Sequence, residues 1–143
     1  MTVKVLYTAV ATATGEGRNG HVRSSDGLFE ADLAQPPELG GAGGKTNPEQ
    51  LFAAGYSACF LNALKRMARE AEAPITDPAV TAEVGMGRNP EGTGFQLEVT
   101  LVIELGGVDQ QTAELLAARA HALCPYSNAT RGNIPVTLEV VTA

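Results

Sequence analysis

The sequence predicts an α+β domain, residues 1–143, with elements in the order βββ-α-ββ-α-β and antiparallel sheets packed on two helices. Three observations carry that expectation. Phe95 to Leu105 alternates strictly, with Phe95, Leu97, Val99, Leu101, Ile103 and Leu105 on one face and mostly polar residues on the other, as in a half-buried antiparallel strand. Asn47 to Ala73 has apolar residues at three- and four-residue spacings, the period of a helix. Strand and helix patterns do not alternate regularly along the chain, which argues against a doubly wound parallel sheet.

The N-terminal third reads as an antiparallel meander. Val3, Val5, Tyr7 and Ala9 alternate through a strand from Val3 to Thr14, and Gly15 to Gly20 is a turn-rich loop. His21–Ser25 and Leu28–Leu33 are strands joined at Asp26-Gly27, a hairpin signal. Gln35 to Thr46, QPPELGGAGGKT, holds two prolines and four glycines and is an irregular connection. Its GGKT ending does not make a phosphate-binding loop: the first glycine of that motif would fall on Leu39, and no buried strand precedes it.

The long helix starts at Asn47 as N-cap, with Pro48 in the first helical position and Gln50 placed for a capping box. Its first half is apolar almost all round, so burial on most sides is expected, and Cys59 lies in that half. Pro74 to Pro78 is a break, Val80 to Arg88 a strand, and Asn89 to Gly94 a turn. After the Phe95–Leu105 strand, a second helix is capped by Asp109 and ends at Pro125, with Cys124 at the end of its apolar stripe. Tyr126 to Gly132 reads as a polar loop and Val136 to Val140 as the last strand.

Composition narrows the function classes. A length of 143 residues suits one core, and 44% hydrophobic with 18% charged residues describes an ordinary globular chain. A net charge of −6 argues against a nucleic-acid partner. No apolar run approaches the ~20 residues of a membrane helix, and MTVKVLYTAVATATGEG lacks the features of a secretory leader, so a cytoplasmic location is expected. In that compartment two cysteines are more readily understood as reduced or redox-active than as a structural disulfide. Four readings of Cys59 and Cys124 stay open from the residues alone. They are two small buried hydrophobes, a dithiol redox pair, a metal site using His121 and Cys124, or the lining of an apolar ligand-binding module without chemistry. No metal is expected, because His21 is remote and too few ligand types converge.

Four stretches carry a resemblance that covers nearly the whole chain: LYTAVATATGEGRNG, SSDG, ELGGAGGKTNPEQLFAAGYSACF and CPYSNATRGNIPV. With these the chain resembles the organic hydroperoxide resistance proteins, the Ohr branch of the Ohr/OsmC family. Lys45 departs from the family's pattern, where a small residue is expected, without touching a site residue. The resemblance implies an intertwined homodimer and a thiol peroxidase that reduces organic hydroperoxides. It implies Cys59 as the peroxidatic residue, Cys124 as the resolving residue, and Arg18 and Glu49 beside them. It also implies no bound cofactor and an external dithiol reductant, the dihydrolipoyl group of a lipoylated protein partner. An OsmC-type peroxidase of broader specificity and a non-enzymatic apolar ligand-binding dimer are the alternatives.

Physical chemistry adds conditions to that expectation. Burial disfavours a thiolate, and Cys59 lies about three turns into its helix, beyond the reach of the helix N-terminus. A cation is therefore required, and Arg18 is the one the resemblance supplies, with Glu49 to orient it. Phe52, Tyr56, Phe60 and Leu123 are expected to surround the substrate and to suit an alkyl or lipid hydroperoxide. Glu49 and Cys59 stand ten residues apart, about 15 Å of rise along one unbroken helix. Either the helix breaks between them, at Gly55, or a partner subunit supplies Glu49.

Overall fold

A computed structural model describes residues Thr2–Ala143. The chain divides into two compact units, Met1–Leu51 and Phe52–Ala143.

The first unit holds a three-stranded antiparallel sheet in the order β1-β2-β3, formed by β1 (Ala11–Thr14), β2 (His21–Ser24) and β3 (Glu30–Asp32). The meander is as the sequence predicts, but β1 is shorter. The alternating residues Val3, Val5 and Tyr7 lie outside any ladder and are exposed, as is Leu6 between them. Apolar alternation gives a strand its faces; only a neighbouring strand gives it hydrogen bonds. Gly27, at φ 74°, makes the β2–β3 turn, with the Ser24 and Asp26 side chains bonded at 2.6 Å across it. The connection through Gln35–Thr46 contains one short 3-10 turn, Pro37–Leu39.

Helix α1 (Pro48–Glu70) begins in this unit. Asn47 Oδ1 accepts from the Gln50 backbone N–H at 2.9 Å, which confirms the cap. The capping box is only half formed, because Gln50 Oε1 accepts instead from the Thr46 hydroxyl at 2.7 Å. The helix runs unbroken through Gly55.

The second unit packs α1 from Phe52 onward and α2 (Gln110–Leu123) against the sheet β4 (Thr76–Arg88), β5 (Phe95–Gly106) and β6 (Val136–Thr142). Val99, Leu101, Ile103 and Leu105 of β5 supply the sheet's buried face. Tyr56, Phe60, Ala63, Leu64 and Ala68 form a single stripe along α1, and Ala113, Leu116, Ala117 and Ala120 the matching stripe on α2. Burial of α1 within the chain is thus one-sided, not all round as its composition predicts. Asp109 caps α2 by accepting from the Thr112 N–H at 2.8 Å. Gln110 ties the helix start to β6 through the Val140 carbonyl (2.9 Å) and the Thr142 hydroxyl (2.9 Å).

Three boundaries differ from expectation. β4 starts at Thr76, before Pro78, and its register with β5 shifts between Thr76 and Ala79, with Asp77 at φ 47°. The bulge lets the strand carry a proline that cannot donate to the ladder. The antiparallel expectation holds for β1-β2-β3 and for β4-β5, but β6 pairs with β5 in parallel, Val99 opposite Val136 through Leu105 opposite Thr142. The helical crossover between them returns the chain to the same end of the sheet. Finally, the polar loop predicted after Pro125 is a short helix, α3 (Pro125–Thr130), with Ser127 and Thr130 buried.

Candidate active site

In the second unit Cys124 Sγ lies 3.3 Å from Cys59 Sγ, placed to donate its S–H, and both thiols are free. Cys59, on α1, is half-buried, and Cys124, the residue between α2 and α3, is fully buried. The two sulfurs meet because α2 ends there: the Cys124 N–H still closes the helix on Ala120 O, while Pro125 starts α3 in a new direction.

Burial raises the Cys59 thiol above its ordinary value, and the second ionisable thiol beside it raises it further. The Tyr126 backbone N–H donates toward the sulfur and works against both. Tyr126 stands in the first turn of α3, where backbone donors have no partner within the helix. A helix terminus does therefore reach Cys59, but from α3 and not from its own helix.

The pair is framed by aromatic rings and a buried hydroxyl cluster. Phe52, Tyr56 and Tyr126 make mutual ring contacts with centroids 5.6–6.1 Å apart. The Tyr126 ring lies on α1 at Gly55, where a Cβ would come within 2.7 Å of the Tyr126 hydroxyl and 3.2 Å of its ring. Gly55 is thus the landing point for an aromatic ring rather than a helix breaker. The Tyr56 hydroxyl is bonded to Ser127 Oγ (2.8 Å) and Thr130 Oγ1 (3.1 Å), and Ser127 Oγ also meets His121 Nδ1 at 2.8 Å. Burial, followed by the charge of Arg131, lowers the His121 pKa, so the ring is held neutral. His121 serves this polar cluster; among the described residues no three His, Cys, Asp or Glu side chains converge as a metal site.

Of the four residues expected around the substrate, Tyr56 and Phe60 are fully buried in the core, Phe52 is half-buried and Leu123 is 37% exposed. Phe52 also lines a cavity of about 360 Å³ with Phe95, Leu97, Ala129 and Ile134, and neither cysteine lines it.

In the first unit Arg18 and Glu49 form a bidentate pair, Nη1 to Oε1 at 2.7 Å and Nη2 to Oε2 at 3.0 Å. Arg18 sits on the 3-10 turn Gly17–Asn19 and Glu49 in the first turn of α1. The Arg18 hydrogen bonds hold the Glu49 carboxyl below the usual carboxylate range, and Glu49 in turn raises Arg18. In such a fork the guanidinium stays charged and is held in one orientation by the carboxylate.

The sequence left Tyr126, Ser127 and Thr130 without roles and offered Gly55 only as a break point of the long helix. One signal was available: Pro125 directly after a helix C-terminus fits the first position of another helix.

Residues 41–139 match the family described as OsmC-like protein. The chain is 51% identical over 137 residues to an organic hydroperoxide resistance protein of Xanthomonas axonopodis pv. citri, covering 94% of each chain. It superposes with a TM-score of 0.90 on an organic hydroperoxide resistance protein from Legionella pneumophila, at 52% identity, covering 96% of this chain and 98% of that one. A Vibrio cholerae protein described as a putative organic hydroperoxide resistance protein, crystallised with captopril in one of its active sites, is similar at 46% identity and a TM-score of 0.89, covering 98% and 95%.

Proposed function

The chain belongs to the Ohr/OsmC organic hydroperoxide resistance family and is a cysteine-based peroxidase; from that premise we propose that it reduces alkyl or lipid hydroperoxides through a Cys59 sulfenic acid and a Cys59–Cys124 disulfide. The observation that carries this reading is the 3.3 Å contact between the two sulfurs.

The Cys59 thiolate attacks the distal oxygen of ROOH. The O–O bond breaks, the alkoxide takes a proton and leaves as ROH, and Cys59 is oxidised to S–OH. The Cys124 sulfur then attacks the Cys59 sulfur. The disulfide forms, and the hydroxyl leaves as water with the Cys124 proton. An external dithiol restores both thiols and becomes a disulfide itself. Dihydrolipoyl groups of a lipoylated protein are the reductant that the family resemblance suggests, acting in the cytoplasm.

Burial makes the Cys59 thiol in the second unit a poor acid, so the reaction needs a cation to favour the thiolate. The Arg18–Glu49 fork has the required chemistry. With Glu49 and Cys59 on one continuous helix, the reading is a homodimer in which Arg18 and Glu49 of one protomer serve Cys59 and Cys124 of its partner. The apolar surroundings favour an organic hydroperoxide over hydrogen peroxide. The whole chain, 1–143, acts as one functional domain.

Peroxide stoichiometry tests the roles. Cys59→Ser should consume none. Cys124→Ser should consume about one equivalent, then stall or over-oxidise. Equal multiple-turnover activity in both variants would overturn the assignment.

A further inference from the structure

The loop Gly15–Gly20 carries Arg18 and is closed at its base by the register pair Thr14–His21. The base is tight. Gly20 N–H bonds Gly17 O at 2.9 Å, a Cβ on Gly20 would collide with the Thr14 carbonyl oxygen, and Leu33 N–H reaches back to Gly20 O at 2.9 Å. Gln35 N–H bonds Asn19 Oδ1 at 3.1 Å. The anchor of Arg18 is therefore the end of the β2–β3 ladder, where His21 faces Asp32.

At that rung the imidazole is gripped from both sides. His21 Nδ1 lies 2.7 Å from Asp32 Oδ1 and Nε2 lies 2.8 Å from Glu30 Oε2. A carboxylate can only accept, so both contacts are hydrogen bonds only when each ring nitrogen holds a proton. The other charged groups on the cluster are Arg23 on β2, 3.9 Å from Glu30, and Lys45, which acts on Asp32. From β1 the facing residues are Thr12 and Thr14, both neutral.

We propose that His21, wedged between Asp32 and Glu30, is a positioning residue for Arg18: it staples the base of the Arg18 loop, and loss of its second ring proton loosens that base and unseats the guanidinium from Glu49. The catalytic consequence rests on the reading of Arg18 given above. The hydrogen bonds that His21 donates, first to Asp32 and then to Glu30, raise its pKa. The clamp is therefore complete below the ordinary imidazole value of about 6.5 and is lost as pH rises through the higher folded value.

The test follows His21 ring protons and the Arg18 Nε–H by NMR in the reduced full-length protein while pH is raised, together with kcat/KM on an alkyl hydroperoxide. The His21 midpoint should lie above about 6.5, and the Arg18 signal should move with the same midpoint. In His21→Gln the Arg18 signal should stay at its high-pH position throughout. Wild type should exceed His21→Gln in kcat/KM by about tenfold below the midpoint, the scale of a small misplacement of a catalytic group, and converge with it above. His21→Arg, with a permanent charge, should keep the low-pH advantage across the range. Taking the ratio of variants removes the titration of Cys59, which all share. A midpoint at or below the ordinary value, an Arg18 signal indifferent to His21, or a ratio constant with pH would each overturn the proposal. Arg18→Ala separates the two claims. Full turnover in that variant, together with the NMR coupling seen in the wild-type protein, removes the catalytic reading of Arg18 and leaves the positioning role; an inactive variant together with no coupling in the wild-type protein does the reverse.

Discussion

Cys59 experiences opposing influences that no single residue type announces: burial and a neighbouring thiol against one backbone donor from Tyr126. The resemblance singled out both cysteines, Arg18 and Glu49, because those residues lie in long contiguous stretches. It left the hydroxyl cluster behind Cys124 unread. Tyr56 meets Ser127 and Thr130 across 71 and 74 residues of sequence, and such contacts leave no local signal. That cluster is testable. Tyr56→Phe keeps the ring and removes the shared partner of two buried hydroxyls. It should lower stability by about 1–3 kcal/mol, seen as a lower urea midpoint at unchanged m. An unchanged midpoint would mean that Ser127 and Thr130 are satisfied without Tyr56.

Elements were legible where a local pattern and a cap coincide, as at Asn47 and Asp109, whose side chains accept the expected N–H groups. They were misread where a neighbour decides. β1 ends its pairing at Ala11 although apolar alternation continues toward Val3, and β6 runs parallel because of a crossover that no six-residue window contains. The junction of α1 with α3 makes a prediction of its own. Gly55→Ala should favour α1 by about 1 kcal/mol in helix propensity, yet its Cβ takes the place of the Tyr126 ring. Displacing Tyr126 disturbs the backbone donor at Cys59 and the turn that carries Cys124. We expect a melting temperature near wild type with slower disulfide formation after a peroxide pulse. Wild-type kinetics would show that the Tyr126 ring does not hold that turn.

Over the whole molecule, the α+β class and the order of the strands followed from periodicity, whereas assembly did not. Among the described residues of the first unit, only Leu33 and Ala34 are buried apolar residues, and Val3, Val5, Leu6, Tyr7 and Val10 are at least half exposed. So little buried apolar area does not offset the entropy of ordering the chain, which adds to the case for a second copy in the proposed function. Complementation tests the shared site. An Arg18→Ala/Glu49→Ala chain paired with a Cys59→Ser chain should regain up to about half of the wild-type sites, since a two-fold dimer then has one complete site and one without key groups. Verified heterodimers that stay inactive would rule the shared site out.

The contact between the two thiols also sets a competition in time. Under the proposed mechanism, a sulfenic acid formed at Cys59 would have Cys124 Sγ already in touch, about 1.3 Å short of bonding length. Well-oriented intramolecular partners behave as if present at up to about 10⁵–10⁸ M, far beyond any concentration a second peroxide molecule reaches. In the proposed cycle, irreversible oxidation to the sulfinic acid should therefore lose the race, and the molecule should survive floods of its own substrate. Its lifetime under stress then depends on how quickly the resulting disulfide is reopened, not on how often it is formed.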